Sequence, residues 1–380
     1  MKSNATREIY IGLMSGTSLD GVEALAMAWS GEHDFQILGE TFVPYDEAIS
    51  LKILALQHVS NDELAKVYLL GNELADIYAK SVQQVLAIAQ LKPEDVTAIG
   101  CHGQTLRHAP EMGYTVQTCN WARLAELTQI DVVGDIRQRD VAAGGQGAPL
   151  VPAFHEGIFS SAQENRVILN IGGIANMTRL QQDLPVIGFD TGPGNMLMDA
   201  WILEHQGLRF DDNGAWAKTG QVDADLFKQL YATDYFSAPI PKSTGRDLFH
   251  LPWLQSQLAI VEATKSVPIL TQDVQATLLA LTVVSIVNDI KQYAPQTDAV
   301  YLCGGGAKSQ HLRDELLVAL HAYNPKIRMA DTIVLGLAEQ QVEAAAFAWL
   351  AKKCVHRETA NLPLVTGAKG LRVLGAIYPR

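Results

Sequence analysis

Apolar residues at Ile9, Ile11 and Leu13 recur with a period of two, and Ala24, Ala26 and Ala28 resume that spacing after a break. Such alternation marks β-strands. Between the runs lies Ser15-Gly16-Thr17-Ser18-Leu19-Asp20-Gly21, too polar and glycine-rich to continue either strand. The pattern predicts a strand, a tight turn and a returning strand. Residues 35–43 read as a third strand, ended by Pro44. The period then lengthens: over residues 60–90, Val67, Gly71, Leu74, Tyr78, Val85 and Ile88 follow one helical face, and Ser60 with Glu63 has capping-box spacing. Residues 96–101 return to strand character and run into His102-Gly103-Gln104-Thr105. A short helix over 121–128 and a strand over 130–133 follow. Residues 135–152, punctuated by glycine and proline, read as a crossing between domains.

A second round begins at residue 166. Residues 166–180 are again strand, glycine-rich turn and strand, and 185–190 supply a third strand. Residues 273–290 form a helical pattern apolar on most of its circumference, and 298–306 run from an apolar strand through Cys303 into Gly304-Gly305-Gly306. The earlier strand likewise ends in Cys101 before a glycine-containing turn. This long-period repetition predicts two similar α/β domains facing one another. Two glycine-rich hairpins pointing into one cleft would cradle a polyphosphate from both sides.

Composition narrows the classes. A chain of 380 residues is long enough for two domains with substantial cores, and 48% hydrophobic with 18% charged residues describes a folded protein. A net charge of −12 argues against nonspecific nucleic-acid binding and against docking on an anionic membrane. Cys101, Cys119, Cys303 and Cys354 have neither disulfide-scaffold nor zinc-ribbon spacing. The N-terminus lacks a signal-peptide core, and the most apolar stretch, 276–287, is too short to span a bilayer, so a cytoplasmic location is expected.

Several residues carry candidate chemistry, each beside a plainer reading. Glycines and successive N–H groups in the first turn suit an anion, and Asp20 suits a hydrated Mg²⁺ beside phosphates; Asp20 and Glu23 are equally solvated turn carboxylates. Asp190 ends an apolar strand before Thr191-Gly192-Pro193-Gly194-Asn195, a place for a general base or for a turn or cap aspartate. His102 and Gln104 suit sugar hydroxyls or hydrogen bonds within their own loop. Arg137 and Arg139 suit a substrate carboxylate or the surface beside a linker. Glu343, on a helix expected over 338–352, faces either the substrate or solvent. His102 and His108 lack the spacing of a helical metal pair.

With these residues in view, the chain resembles a known superfamily. Residues 12–21, GLMSGTSLDG, resemble the first phosphate loop of the actin, hexokinase and heat-shock ATPases. Residues 170–176 resemble the second phosphate loop, and 303–309 the adenosine loop. More narrowly, GLMSGTSLDG, CHGQTLRH at 101–108, DVAAGGQGAPLVP at 140–152 and GFDTGPGN at 188–195 together resemble the anhydro-N-acetylmuramic acid kinases of bacterial cell-wall recycling. One departure is Glu23, where that family usually has Asp. The resemblance implies two actin-like (ribonuclease H-like) α/β domains with mixed sheets flanked by helices and a deep cleft between them. Their expected bounds are 1–140 with 365–380, and 141–364. It implies ATP and Mg²⁺, with Gly16, Thr17, Ser18, Leu19, Asp20, Gly21, Val22, Glu23, Asn170, Gly172, Gly173, Asn176, Gly304, Gly305 and Gly306 on the nucleotide and Asp20 on the metal. Substrate would meet His102, Gln104, Arg137, Asn195 and Glu343. Asp190 would activate a water that opens a 1,6-anhydro ring at C1 while O6 takes the γ-phosphoryl group. A homodimer acting on a small amino sugar is the implied assembly. A sugar or small-molecule kinase without ring opening, or an actin-like nucleotide switch that is no enzyme, are the alternatives.

Overall fold

The computed structural model describes residues 7–16, 19–31 and 34–380. Thr17 and Ser18, expected on the nucleotide, lie outside the described residues. The chain divides into two compact units, residues 1–158 with 341–380 and residues 159–340.

The first unit holds β1 (Glu8–Met14), β2 (Gly21–Trp29), β3 (Phe35–Pro44), β4 (Ala98–Cys101), the small ribbon of β5 (Gln104–Ala109) and β6 (Tyr114–Thr118), and β7 (Val132–Gly134). Its main sheet runs from the C-terminal strand Ala376–Tyr378 through β7, β4, β1 and β2 to β3. β1 and β2 pair antiparallel from Glu8 opposite Trp29 to Met14 opposite Glu23, so the hairpin occupies the expected register. β4 lies parallel to β1. Ile11, Leu13, Ala24 and Ala26 point into a core with Leu74, Tyr78 and Val82 of the helix Glu63–Ala89.

The other face of β1 is covered as well. The helix Val342–Val355 packs on β1 and β4, where Gly12 and Gly100 are direct register partners. A Cβ on Gly12 would stand 1.8 Å from the Ala344 carbonyl oxygen, and one on Gly100 would stand 1.9 Å from that of Phe347. Two adjacent glycines thus admit a helix backbone against the sheet. This contact places the helix within the first unit, as does Asp140. Its buried carboxylate accepts hydrogen bonds from Gly147 N at 2.9 Å, Asn361 Nδ2 at 2.8 Å and Thr366 Oγ1 at 2.9 Å. Residues 135–152, expected as a crossing, are therefore stitched to the C-terminal segment. Residues 141–158 and 341–364 lie with the first unit and not with 159–340.

Two local expectations need correction. The long helix starts at Glu63 with Asp62 as its cap residue; Glu63 accepts from Ser60 N, but the Ser60 hydroxyl is buried without a partner, so only half of a capping box forms. Ile88 leaves the apolar face and is exposed.

The second unit contains β8 (Arg166–Ile171), β9 (Ile174–Leu180), β10 (Ile187–Pro193), β11 (Ala299–Cys303) and β12 (Arg328–Asp331), ordered β10-β9-β8-β11-β12. Both units therefore repeat one design: three antiparallel strands, the first of which is continued by two parallel ones. Mixed sheets flanked by helices, as expected, are present twice. The apolar stretch 276–287 belongs to a longer helix, Thr271–Tyr293. By length and composition that helix is able to cross a membrane, but most of it is buried among Val167, Leu169, Phe189 and Leu316, as a core helix is.

Candidate active site

In the first unit, β1 and β4 run parallel and bring their C-terminal ends together. Ser15, after β1, is buried; its hydroxyl donates to Gly103 O at 3.0 Å and lies 2.6 Å from the Tyr78 hydroxyl. His102, after β4, donates from Nδ1 to Ser15 O at 3.1 Å and accepts at Nε2 from Arg137 Nε at 3.0 Å. These partners fix its tautomer. Burial, and then the neighbouring Arg137 cation, push the imidazole down to about 3, so the ring is neutral. Gln104 is fully buried, donating to Gly16 O at 3.2 Å and accepting from the Tyr45 hydroxyl at 3.4 Å. Each side chain thus spends one hydrogen bond on the hairpin turn.

Arg137 also donates to Gly147 O at 2.9 Å. Burial lowers its guanidinium to about 10, and the Glu343 and Asp140 carboxylates oppose that fall. Glu343 lies in the first turn of the helix seated on Gly12 and Gly100. Its side chain reaches solvent, yet the protein packed around its carboxyl pushes the pKa up. Arg137 pulls the same group down, and Asp20 pushes it further up. Asp20, Arg137 and Glu343 are therefore one electrostatic group. In the turn, Leu19 takes a φ of 60°, a left-handed conformation costly for a branched side chain, while Gly21 and Val22 are buried and Glu23 stands opposite Met14.

In the second unit, three turns meet at one end of the sheet. Gly194 N donates to Gly173 O and Asn195 N to Gly172 O, each at 2.9 Å, locking the turn after β10 onto the β8–β9 turn. A Cβ on Gly194 would stand 2.1 Å from Gly172 O. The Gly304–Gly306 turn packs on the end of β8: Gly304 has a φ of 84°, and a Cβ there would lie 2.2 Å from Asn170 Oδ1. Asn176 is the register partner of Asp190. Asn170, Gly172, Gly173, Asn176, Asp190, Asn195, Gly304, Gly305 and Gly306 are thus gathered in one neighbourhood.

Asp190 sits at a bulge in β10, where the pairing register shifts before Gly192. Its Oδ2 accepts from Thr244 N at 2.9 Å, its backbone N donates to Lys242 O at 3.1 Å, and its carbonyl accepts from the Tyr235 hydroxyl at 2.7 Å. Burial raises the carboxyl from 3.8 to about 6, against the opposing pull of the Thr244 N–H and the Lys242 cation. Such a group is ionised at neutral pH yet basic enough to take a proton. The sequence reading missed these partners. Two signals stood in the chain: Lys242-Ser243-Thr244-Gly245, a polar turn after Pro241, and Asp289, a carboxylate two residues beyond Val287 at the end of a mostly apolar stretch.

Among the described residues, no group of three or more histidine, cysteine, aspartate or glutamate side chains could hold a metal ion alone. A hydrated Mg²⁺ needs no such cluster, since it is held by one or two carboxylates with water and phosphate oxygens. Asp20, exposed at the turn, is suited to that task.

A family model described as anhydro-N-acetylmuramic acid kinase matches residues 8–380. The chain belongs to that family. It is 51% identical to the anhydro-N-acetylmuramic acid kinase of Chromobacterium violaceum, over 98% of this chain and 100% of that one. The corresponding protein of Nitrosomonas europaea is 48% identical over 97% of this chain and 99% of its own. That of Pseudomonas putida is 48% identical over 98% and 99%. A solved ROK hexokinase from Thermus thermophilus matches over 91% of this chain and 99% of its own, at 16% identity and a TM-score of 0.37, a likeness too distant to bear on the site. The family match spans the first hairpin, the Asp140 staple, the Asp190 bulge and the Gly304–Gly306 turn alike.

Proposed function

We propose that this chain is an ATP-dependent kinase that converts 1,6-anhydro-N-acetylmuramic acid to N-acetylmuramic acid 6-phosphate, opening the anhydro ring in the same reaction. The observation that carries this reading is membership of the anhydro-N-acetylmuramic acid kinase family over residues 8–380, both units included. In peptidoglycan recycling such an enzyme would return a wall-derived sugar to metabolism.

Asp190 is the proposed base. It takes a proton from a water whose oxygen bonds to C1; the C1–O6 bond breaks, O6 bonds to the γ-phosphorus, and ADP leaves. Its raised carboxyl and its two-sided anchoring to Thr244 and Tyr235 support this role. Phosphoryl transfer needs positioning and charge neutralisation more than covalent help. The backbone donors of the first turn (Gly16 through Glu23) and of Asn170, Gly172, Gly173 and Asn176 are proposed to hold phosphates. Gly304, Gly305 and Gly306 would let the nucleoside lie against the backbone. Mg²⁺, which Asp20 would hold, neutralises phosphate charge when bound.

Arg137, Glu343 and Asn195 are proposed to meet the sugar, Arg137 as a guanidinium for its lactyl carboxylate. His102 and Gln104 serve the site by fixing the turn at Ser15 and Gly16, to which each donates one hydrogen bond. A cytoplasmic homodimer is part of the proposal. Incubation with ATP and the anhydro sugar, followed by product mass, is the test. A gain of phosphate plus one water is expected; a gain of phosphate alone would make this a plain kinase, and no product would refute the substrate.

A further inference from the structure

The second unit contains a buried lysine that no part of the proposed reaction uses. Lys242 is 9% exposed, and its ammonium lies 3.6 Å from Asp289 Oδ2. The same Nζ stands 5.7 Å from the centre of the Phe189 ring and 5.1 Å from that of Tyr235. Phe189 precedes Asp190 in β10, and the Tyr235 hydroxyl donates to the Asp190 carbonyl. The Lys242 carbonyl accepts from Asp190 N, and Thr244, two residues on, donates to the Asp190 carboxylate. Lysine is rarely buried, and this one is enclosed by the residues that hold Asp190.

We propose that Lys242 is a positioning residue for Asp190: its buried cation, anchored by Asp289 and the two aromatic faces, holds the Asp190 carboxylate in its ionised form. This inference rests on Asp190 being the general base. Asp289 Oδ2, 3.6 Å from the ammonium, accepts no shorter hydrogen bond, and the charge of the same lysine acts on Asp190 as well. Burial raises Asp289 to about 6 while Lys242 pulls it down, and Lys242 acts on Asp190 in the same sense. The other ionisable groups packed around Asp190 are Tyr235 on the helix Asp234–Ser237, Tyr293 on the helix Thr271–Tyr293, whose ring meets Phe189 edge-on, and Asp247, which acts on Tyr235. Tyr235 and Tyr293 are both shifted upward by burial, so neither carries charge near neutral pH.

The test is the dependence of kcat/KM on pH, between about pH 5 and 9, for wild type, Lys242→Met, Lys242→Arg and Asp289→Asn, with thermal unfolding recorded for each. The wild-type acid limb is expected near 6. Removing the cation in Lys242→Met moves that limb up by about one pH unit, Lys242→Arg leaves it in place, and removing the neighbouring anion in Asp289→Asn moves it down. Opposite displacements from the two halves of one ion pair are the signature of electrostatic control. A uniform fall in kcat with no displacement in either variant overturns the inference and leaves Lys242 a packing residue. If Lys242→Met does not fold, Asp289→Asn decides: an unmoved or rising limb overturns the proposal. Failure of the underlying reading looks different, because Asp190→Asn would then retain turnover.

Discussion

Asp190→Asn should make the protein more stable and inactive at once. Burial raises this carboxyl from 3.8 to about 6, so holding it ionised above pH 6 costs the native state about two pH units, or ~3 kcal/mol at 1.36 kcal/mol per unit. An asparagine keeps an oxygen to accept the Thr244 N–H, and the pull of Lys242 is already contained in the shift, so the gain above pH 6 is up to ~3 kcal/mol. For a unit of this size ~3 kcal/mol is about 6–12 °C in Tm. The sign with pH follows from proton linkage. A carboxyl raised on folding binds its proton more tightly in the native state, so wild-type stability is fullest below pH 3.8 and falls as pH rises through about 6. The variant has no such group, so its advantage is absent at pH 4, grows through pH 6 and is constant above it. Differential scanning calorimetry of both proteins from pH 4 to 8, with turnover at pH 8, is the assay. An equal or lower Tm for the variant at pH 8, or a difference independent of pH, would refute the reasoning.

Other outcomes follow from the same geometry. Gly100→Ala would drive a Cβ to within 1.9 Å of the Phe347 carbonyl oxygen, where no rotamer relieves the clash, and should cost at least ~3 kcal/mol in urea unfolding. Arg137→Lys loses the bonds to His102 Nε2 and Gly147 O; kcat/KM for the sugar should fall about 10- to 100-fold with the ATP KM changed only a few-fold, and a larger effect on ATP would move Arg137 to the nucleotide. Chelation with EDTA should abolish activity, Mg²⁺ should restore it, and Asp20→Asn should raise the Mg²⁺ concentration needed for half-maximal rate.

The repetition was legible because β-strand alternation and glycine-rich turns are local signals. The strand–turn–strand units at 8–29 and 166–180 lie where the pattern puts them, and β4 and β11, each ending in cysteine, take the same place in their sheets. The placement of the helix Val342–Val355 was not legible. What holds it is a pair of glycines, Gly12 and Gly100, 88 positions apart and adjacent only once β1 and β4 pair. Asp140 was hidden for the same reason, since Asn361 and Thr366 reach it from the far end of the sequence. For the candidate site, residue types and positions left Asp190, Arg137 and Glu343 open, and the family resemblance singled them out. Neither gave anything of the partners that set their charge states: Thr244, Lys242 and Asp289 around Asp190, and the Asp20–Arg137–Glu343 group. His102 and Gln104, which the sequence left between sugar hydroxyls and their own loop, are buried against the hairpin because tertiary pairing of β1 with β4 supplied their acceptors.

The most direct test of the account is the fate of solvent oxygen. With ATP and 1,6-anhydro-N-acetylmuramic acid in ¹⁸O-water, the sugar phosphate, quenched before anomeric exchange, should carry one heavy oxygen at C1 and none in its phosphoryl group. A phosphorylated product without heavy oxygen at C1, or heavy oxygen appearing only in inorganic phosphate, would contradict a single reaction that opens the ring and phosphorylates O6.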